Sequence, residues 1–203
     1  MAYCNLDKVI YSGVGKYDIP EIEPFNGSLE HIEQWIGFNY AKTEKYCKKK
    51  YGVHFCLDDY QFETIWNHSN KYVQNFRSCG AMCSPDFSLY LDFPKAIQIY
   101  NHYRKHWLAR YYQERGITVI PTIAWSDEDS LNWCFDGEPK HSIVATSCTG
   151  TLNDENAFKA FETGYKEMLR CLEPTKILLF TLAKNIDKIK LDGNVEIINV
   201  STF

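Results

Sequence analysis

The sequence predicts an α/β protein built from repeated βαβ units around a mostly parallel sheet. Short apolar runs rich in β-branched residues alternate with longer segments of helical period. The segments between successive runs are long enough for right-handed crossovers. Polar residues gather at the carboxyl ends of the predicted strands and not at their amino ends. Two architectures satisfy this pattern, an open doubly wound sheet and an incomplete β/α barrel, and both place ligands at that rim.

The chain divides into two parts on composition. Its 203 residues suit a domain with a sizeable core and a short additional segment. Residues 1–50 are predicted to form an irregular N-terminal segment packed on the core, because Pro20 and Pro24 keep the chain turning. Within it, residues 28–35 are typical of a short helix with a serine cap. Residues 51–203 are predicted to form the α/β domain.

The best-defined element is a helix from Pro94 to Arg115, with apolar residues at helical spacing. A proline is tolerated in the first helical turn, and Gly116 is placed to end the helix. The other elements are predicted from the spacing of apolar residues and from the turn residues between them. The predicted strands are 53–57, 81–83, 117–125, 142–147, 176–181 and 195–200, and the further helices are 62–76 and 154–172.

Charge and hydropathy exclude several classes of function. The formal net charge is -4 and the pI is about 5.9, so nucleic-acid binding is not expected. The lysine-rich run from Lys42 to Lys50 is interpreted as a solvated surface. No apolar run approaches the length of a membrane span, and the N-terminus lacks the pattern of a signal peptide. We therefore expect a cytoplasmic protein without a membrane partner.

The eight cysteines do not form a metal-binding pattern. Cys79 and Cys83 are four residues apart across a predicted helix-to-strand break, and no Cys-x-x-Cys pair is present. Cys56 and Cys83 lie in apolar strands, where a thiol behaves as a small hydrophobic group. We therefore predict no metal site and no cofactor.

The segment Ser84–Pro94 is predicted to form the centre of a site. It leaves the buried strand 81–83 and carries two carboxylates and three aromatic rings, which is too polar for a core strand. Asp86 is the candidate general acid or base of this segment. Phe87 and Tyr90 are candidate ligand-binding residues, because aromatic rings stack on bases and sugars.

Other strand ends supply the remaining candidates. Asp127 is the second candidate catalytic carboxylate, although an aspartate before a helix also serves as a cap. Cys148 is a candidate nucleophile at the end of strand 142–147, although no neighbouring base is evident. Thr149 and Gly150 are candidates for holding an anion on backbone amides. The other ligand-binding candidates at the rim are Asp58 and Trp125.

Five segments of the sequence form a specific combination: Leu57–Glu63, Ser84–Tyr90, Tyr100–Arg104, Gly116–Trp125 and Cys134–Gly137. Together they resemble a known family, the DUF4417 proteins of bacteria, phages and other mobile elements. The resemblance covers roughly residues 50 to 181 and implies a phage or mobile-element context. It implies no reaction, so no catalytic residue is transferred from it.

Two classes of function follow from these observations. In the first, the rim binds a nucleotide-like or sugar-like small molecule, and whether it also catalyses a reaction is left open. In the second, the protein binds and inhibits a host protein, such as a defence component, through its aromatic surface. The family resemblance and the lack of a recognised catalytic motif favour this second class. The predicted partner is thus a small-molecule ligand or a host protein.

Overall fold

A computed structural model describes residues 8–149, 155–182 and 191–200 of the chain. The strands are β1 Gly13–Val14, β2 Ile19–Pro20, β3 Gln34–Gly37, β4 Tyr51–His54, β5 Ala81–Cys83, β6 Val119–Ile120, β7 Ile143–Ser147, β8 Lys176–Thr181 and β9 Val195–Asn199. The helices are α1 Phe38–Ala41, α2 Glu63–Asn67, α3 Val73–Ser78, α4 Lys95–Gln113 and α5 Glu155–Leu172. An antiparallel hairpin joins β1 to β2. The other strands form two parallel sheets, ordered β3-β4-β5-β6 and β7-β8-β9.

The two parallel sheets form one curved layer. A parallel bridge between Thr122 and Ala145 joins them, so β3 to β9 follow one another in chain order. A doubly wound sheet reverses this order at its switch point, a reversal that the described strands do not contain. Phe180 of β8 packs against Trp35 of β3 and His54 of β4, with ring centroids 5.5 and 5.3 Å apart. The predicted parallel α/β fold is therefore confirmed, and its architecture is that of an incomplete β/α barrel.

Strand β8 is buried on both faces. Leu178 and Phe180 point into the main core, whereas Ile177 and Leu179 point into a second core against α5. Such double burial explains why parallel strands are apolar without interruption. Helix α5 packs against this second core through residues at helical spacing. Within the described ranges, no helix is long and apolar enough to cross a bilayer. The residues of α5 in the second core are Phe161, Tyr165, Met168 and Leu172.

Several elements differ from the sequence prediction: no helix lies at residues 28–35, and the strand predicted over 117–125 covers only Val119–Ile120. Strand β3 lies at Gln34–Gly37 and pairs in parallel with β4, so the sheet begins ahead of residue 51. The single helix predicted over 62–76 is wrong, because a 3-10 turn at Ser69–Tyr72 separates α2 from α3. The break occurs at His68, whose φ of -138° and ψ of 50° are not helical.

Arg104 joins α4 to α2 and to the segment before α4. Its Nη1 donates to both carboxylate oxygens of Glu63, at 2.6 and 2.8 Å, and its Nε donates to Asn101 Oδ1 at 3.1 Å. The guanidinium carbon lies 3.7 Å from the centre of the Phe87 ring. One side chain thus combines paired hydrogen bonds to a carboxylate with stacking on an aromatic ring.

We expect Arg104→Lys to lower the free energy of unfolding by about 1–2 kcal/mol, as measured by urea denaturation. A lysine ammonium is a point charge that neither forms the same paired contacts nor stacks in the same way. Arg110→Lys is the matched control on the same helix, because Arg110 pairs with Glu23 at the surface. Losses of equal size in the two variants would contradict this account.

Candidate functional site

A groove opens at the carboxyl ends of the parallel strands. One recess has a volume of about 380 Å³, and an adjoining recess of about 500 Å³ shares part of its lining. Asp86 follows β5, Trp125 follows β6 and Thr149 follows β7, so three strand ends contribute to one concave surface. The other side chains that line both recesses are Leu89, Tyr90, Ala124 and Ser147.

Asp86 lies deep in this groove. Solvent reaches only part of the residue, and burial raises the pKa of the carboxyl to about 6. The positive charge of Lys105 opposes this rise in pKa, and the negative charge of Asp59 adds to it. A carboxyl that titrates near neutral pH can both hold and release a proton there.

Trp125 forms the wall of the groove toward α5. Its indole Nε1 donates to the carbonyl oxygen of Ala160 at 3.2 Å, and its ring centroid lies 5.5 Å from that of Phe161. Gly164 makes this approach possible, because a Cβ at that position would lie 2.2 Å from the indole nitrogen. The helix therefore fixes the orientation of the indole.

The segment after Asp86 forms the opposite wall and is held by α4. Gln98 donates to the carbonyl oxygen of Tyr90 at 3.1 Å, and Asn101 donates to that of Ser88 at 2.7 Å. The carboxylate of Asp59 accepts from the Ser88 hydroxyl at 2.8 Å and from its backbone N–H. These bonds position the backbone, while the side chain of Tyr90 stays 53% exposed at the rim.

Among the described residues, three predicted site residues line neither recess, namely Phe87, Asp127 and Cys148, and Asp127 lines a further recess beside Trp125. Phe87 is buried in the core, where its ring packs against Phe62 at 5.1 Å and beneath the Arg104 guanidinium. Asp127 accepts from the backbone N–H of Ser130 at 2.9 Å, so it caps the 3-10 helix Glu128–Asn132. The structure thus places Phe87 in a packing position and Asp127 in a capping position.

Cys148 also points away from the groove. Its side chain is buried in the second core, 3.9 Å from the carbonyl oxygen of Phe180, and burial raises the pKa of the thiol. A buried, protonated thiol is a poor nucleophile. Asp58 lines the larger recess, and Gly150 lies outside the described residues.

The cysteines form no metal site in the described part of the chain, and Ser147 lies at the groove. Among the described residues, no cysteine belongs to a three-residue group with metal-ligand spacing. The hydroxyls of Ser147 and Thr149 hydrogen-bond to each other at the groove. Ser147 was missed, although alternation along a strand places residues 147 and 149 on one side.

Comparisons with known proteins place the chain among phage proteins. The Gene 1 protein of Mycobacterium phage L5 is 33% identical over 185 residues, which are 91% of this chain and 80% of that protein. The Gene 1 protein of Mycobacterium phage D29 is 31% identical over 185 residues, 91% of this chain and 67% of that protein. No solved structure matches the chain. The family model described as "Domain of unknown function (DUF4417)" matches residues 11–201, and the chain therefore belongs to the DUF4417 family.

Proposed function

We propose that the groove of this phage-type protein binds an uncharged, ring-containing small molecule of the nucleoside or sugar type. The observation that carries the proposal is the convergence of Asp86, Trp125 and Thr149 from three strand ends on one groove. Its volume of about 380 Å³ falls in the range of small-molecule sites. Ligands of α/β folds bind at this end of the strands.

The charge of the lining favours an uncharged ring over a phosphate-bearing molecule. Three carboxylates, those of Asp58, Asp86 and Asp92, line the two recesses. Neither recess is lined by a lysine or an arginine among the described residues. A phosphate group would therefore meet like charge without a compensating cation.

Each polar group of the groove has a role in this proposal. The face of Trp125 stacks on the ring, and the hydroxyls of Ser147 and Thr149 bind its polar substituents. Asp86 accepts a hydrogen bond from an N–H or O–H of the ligand when it is ionised, and donates one when it is protonated. Its pKa of about 6 also makes Asp86 the group able to transfer a proton to or from the ligand.

Titration calorimetry with nucleosides and monosaccharides tests the proposal, with nucleoside monophosphates as the charged comparison. We expect Asp86→Asn to weaken binding at least tenfold, because loss of a hydrogen bond to a charged group costs about 1.5–3 kcal/mol. Asp127→Asn is the matched control, since Asp127 lies outside both recesses and asparagine also caps. Equal losses in the two variants, or tighter binding of the monophosphates, would contradict the proposal.

A second candidate function is the binding and inhibition of a host defence protein. Its support is the exposure of large apolar side chains at and near the rim, namely 53% for Tyr90, 59% for Leu91 and 79% for Tyr60. Aromatic side chains of this kind anchor protein interfaces. Capture of one host protein that is lost in Tyr60→Ser, while small-molecule binding persists, would favour this function, because Tyr60 lines neither recess.

A further inference from the structure

Three side chains of types that can ligate a metal converge in the core, and none of them lines either recess of the groove. His102 and His106 lie one turn apart on α4, and Glu138 lies in the segment before β7. One ligand atom from each residue lies within 4.8 Å of the other two. The side chains of His106 and Glu138 are fully buried, and His102 is 1% exposed.

Both imidazoles are oriented by backbone carbonyl groups. His102 Nε2 lies 3.1 Å from the carbonyl oxygen of Asp136, and His106 Nδ1 lies 2.8 Å from that of Pro20. A carbonyl oxygen only accepts, so these two nitrogens carry the hydrogens and the other nitrogen of each neutral ring presents a lone pair. Metal-ligating histidines are typically held in this way by their second nitrogen.

Two acceptor atoms of these three residues lack donors. His102 Nδ1 and Glu138 Oε2 are buried and have no hydrogen-bond partner. His106 Nε2 lies 3.1 Å from Glu138 Oε1, so a neutral ring protonated at Nδ1 would place a lone pair against an oxygen that also accepts. Buried acceptors without donors are costly, and a cation between them removes that cost.

We propose that His102, His106 and Glu138 bind a first-row divalent cation, with zinc as the best match. Two imidazoles and one carboxylate are a ligand set that zinc accepts, with a fourth position left for water or another group. The two histidines are four positions apart in the sequence, which places both on one face of the helix. The site is separate from the groove, and the inference is independent of the proposed function.

Lys105 sets the affinity of this site. Its Nζ donates to Glu138 Oε1 at 2.5 Å and to the carbonyl oxygen of Thr122 at 2.8 Å. Glu138 Oε2 is thereby left to bind the cation. The positive charge of the Lys105 ammonium repels that cation and so lowers its affinity. The competing arrangement is a metal-free one, in which a doubly protonated His106 donates to Glu138.

Titration of the chelator-treated full chain with Zn²⁺ and Co²⁺ tests the proposal. We expect one equivalent of either ion per chain, binding of Zn²⁺ weakened at least tenfold in His102→Gln, and tighter binding in Lys105→Met. His68→Gln is the matched control, because His68 is exposed on another element. If His102→Gln fails to fold, the affinity of Lys105→Met for Zn²⁺ still tests the proposal, because the proposed site predicts tighter binding in that variant.

Side-chain nitrogen NMR provides a second measurement on the same samples. We expect the His102 Nδ1 and His106 Nε2 resonances to shift on addition of Zn²⁺. Folded protein that takes up no stoichiometric zinc, with His106 doubly protonated in these spectra, would overturn the proposal. Binding of Zn²⁺ by His102→Gln with the affinity of the unsubstituted chain would overturn it as well.

Discussion

Phe180→Ala is expected to lower the free energy of unfolding by about 3–5 kcal/mol, the usual range for removal of a buried phenylalanine side chain. Phe180 is 1% exposed and packs against Trp35 and His54. Its loss therefore leaves a cavity between β8 and the first two strands of the parallel layer. Urea denaturation measures the change.

Ile197→Ala on the neighbouring strand β9 is the control for Phe180→Ala. Ile197 is 39% exposed, so we expect its truncation to cost about 1 kcal/mol or less. A loss in Phe180→Ala no larger than the loss in Ile197→Ala would show that the distant strands do not share a core. The incomplete barrel would then be the wrong description of the fold.

Asp86→Asn is expected to stabilise the protein at pH 8 and to leave its stability almost unchanged at pH 4. Burial raises the pKa of Asp86 from 3.8 to about 6, so the unfolded chain loses this proton more readily than the folded chain. Stability is therefore lost as the pH rises from about 4 to above 6. About two pKa units correspond to about 3 kcal/mol, and partial solvent access makes about 1–3 kcal/mol the expected gain. Urea denaturation at both pH values measures it.

Asp127→Asn separates this effect from a general response to charge removal. Asp127 lies at the surface, where its side chain caps a 3-10 helix, and we expect no comparable gain at pH 8. A pH-independent effect of Asp86→Asn would show that the carboxyl is not held in an unfavourable environment. If Asp86→Asn gains stability but loses ligand binding, Asp86 is a binding residue whose burial lowers the stability of the folded protein.

The long elements of this fold are readable from the sequence because their signals are local. Helix α4 is predicted at 94–115 and lies at Lys95–Gln113, since Pro94 and Gly116 mark its ends. Gly116 has a φ of 72°, which glycine adopts easily. Strand β3 has only four residues, and its assignment depends on pairing with β4, which no local pattern reveals.

The positions of the candidate site follow from strand ends, but the directions of the side chains do not. Asp86 and Thr149 reach the groove, whereas the adjacent Phe87 and Cys148 turn into the two cores. In an extended chain, neighbouring side chains point to opposite faces, so only one residue of each pair can reach the groove. Which residue of the pair does so depends on how the sheet is oriented toward its cores.

The buried cluster shows a different limit of sequence reasoning. The predicted lack of a metal rests on the spacing of the cysteines alone. The spacing of His102 and His106 is readable as one face of the predicted helix. Glu138 joins them only because the segment before β7 folds back against α4, at a separation of 32 residues from His106.

Gly164 determines the capacity of the groove without being part of its lining. Any side chain at this position would begin 2.2 Å from the indole nitrogen of Trp125, so the ring would have to move into the groove. A glycine inside a helix lowers stability by roughly 0.5–1 kcal/mol relative to alanine. Helix α5 is therefore less stable than it would be with alanine at the position where Trp125 packs against it. A residue outside the lining therefore limits the volume of the groove. Under the proposed function, a substitution at residue 164 is expected to narrow the range of ligands without changing any side chain that lines the groove.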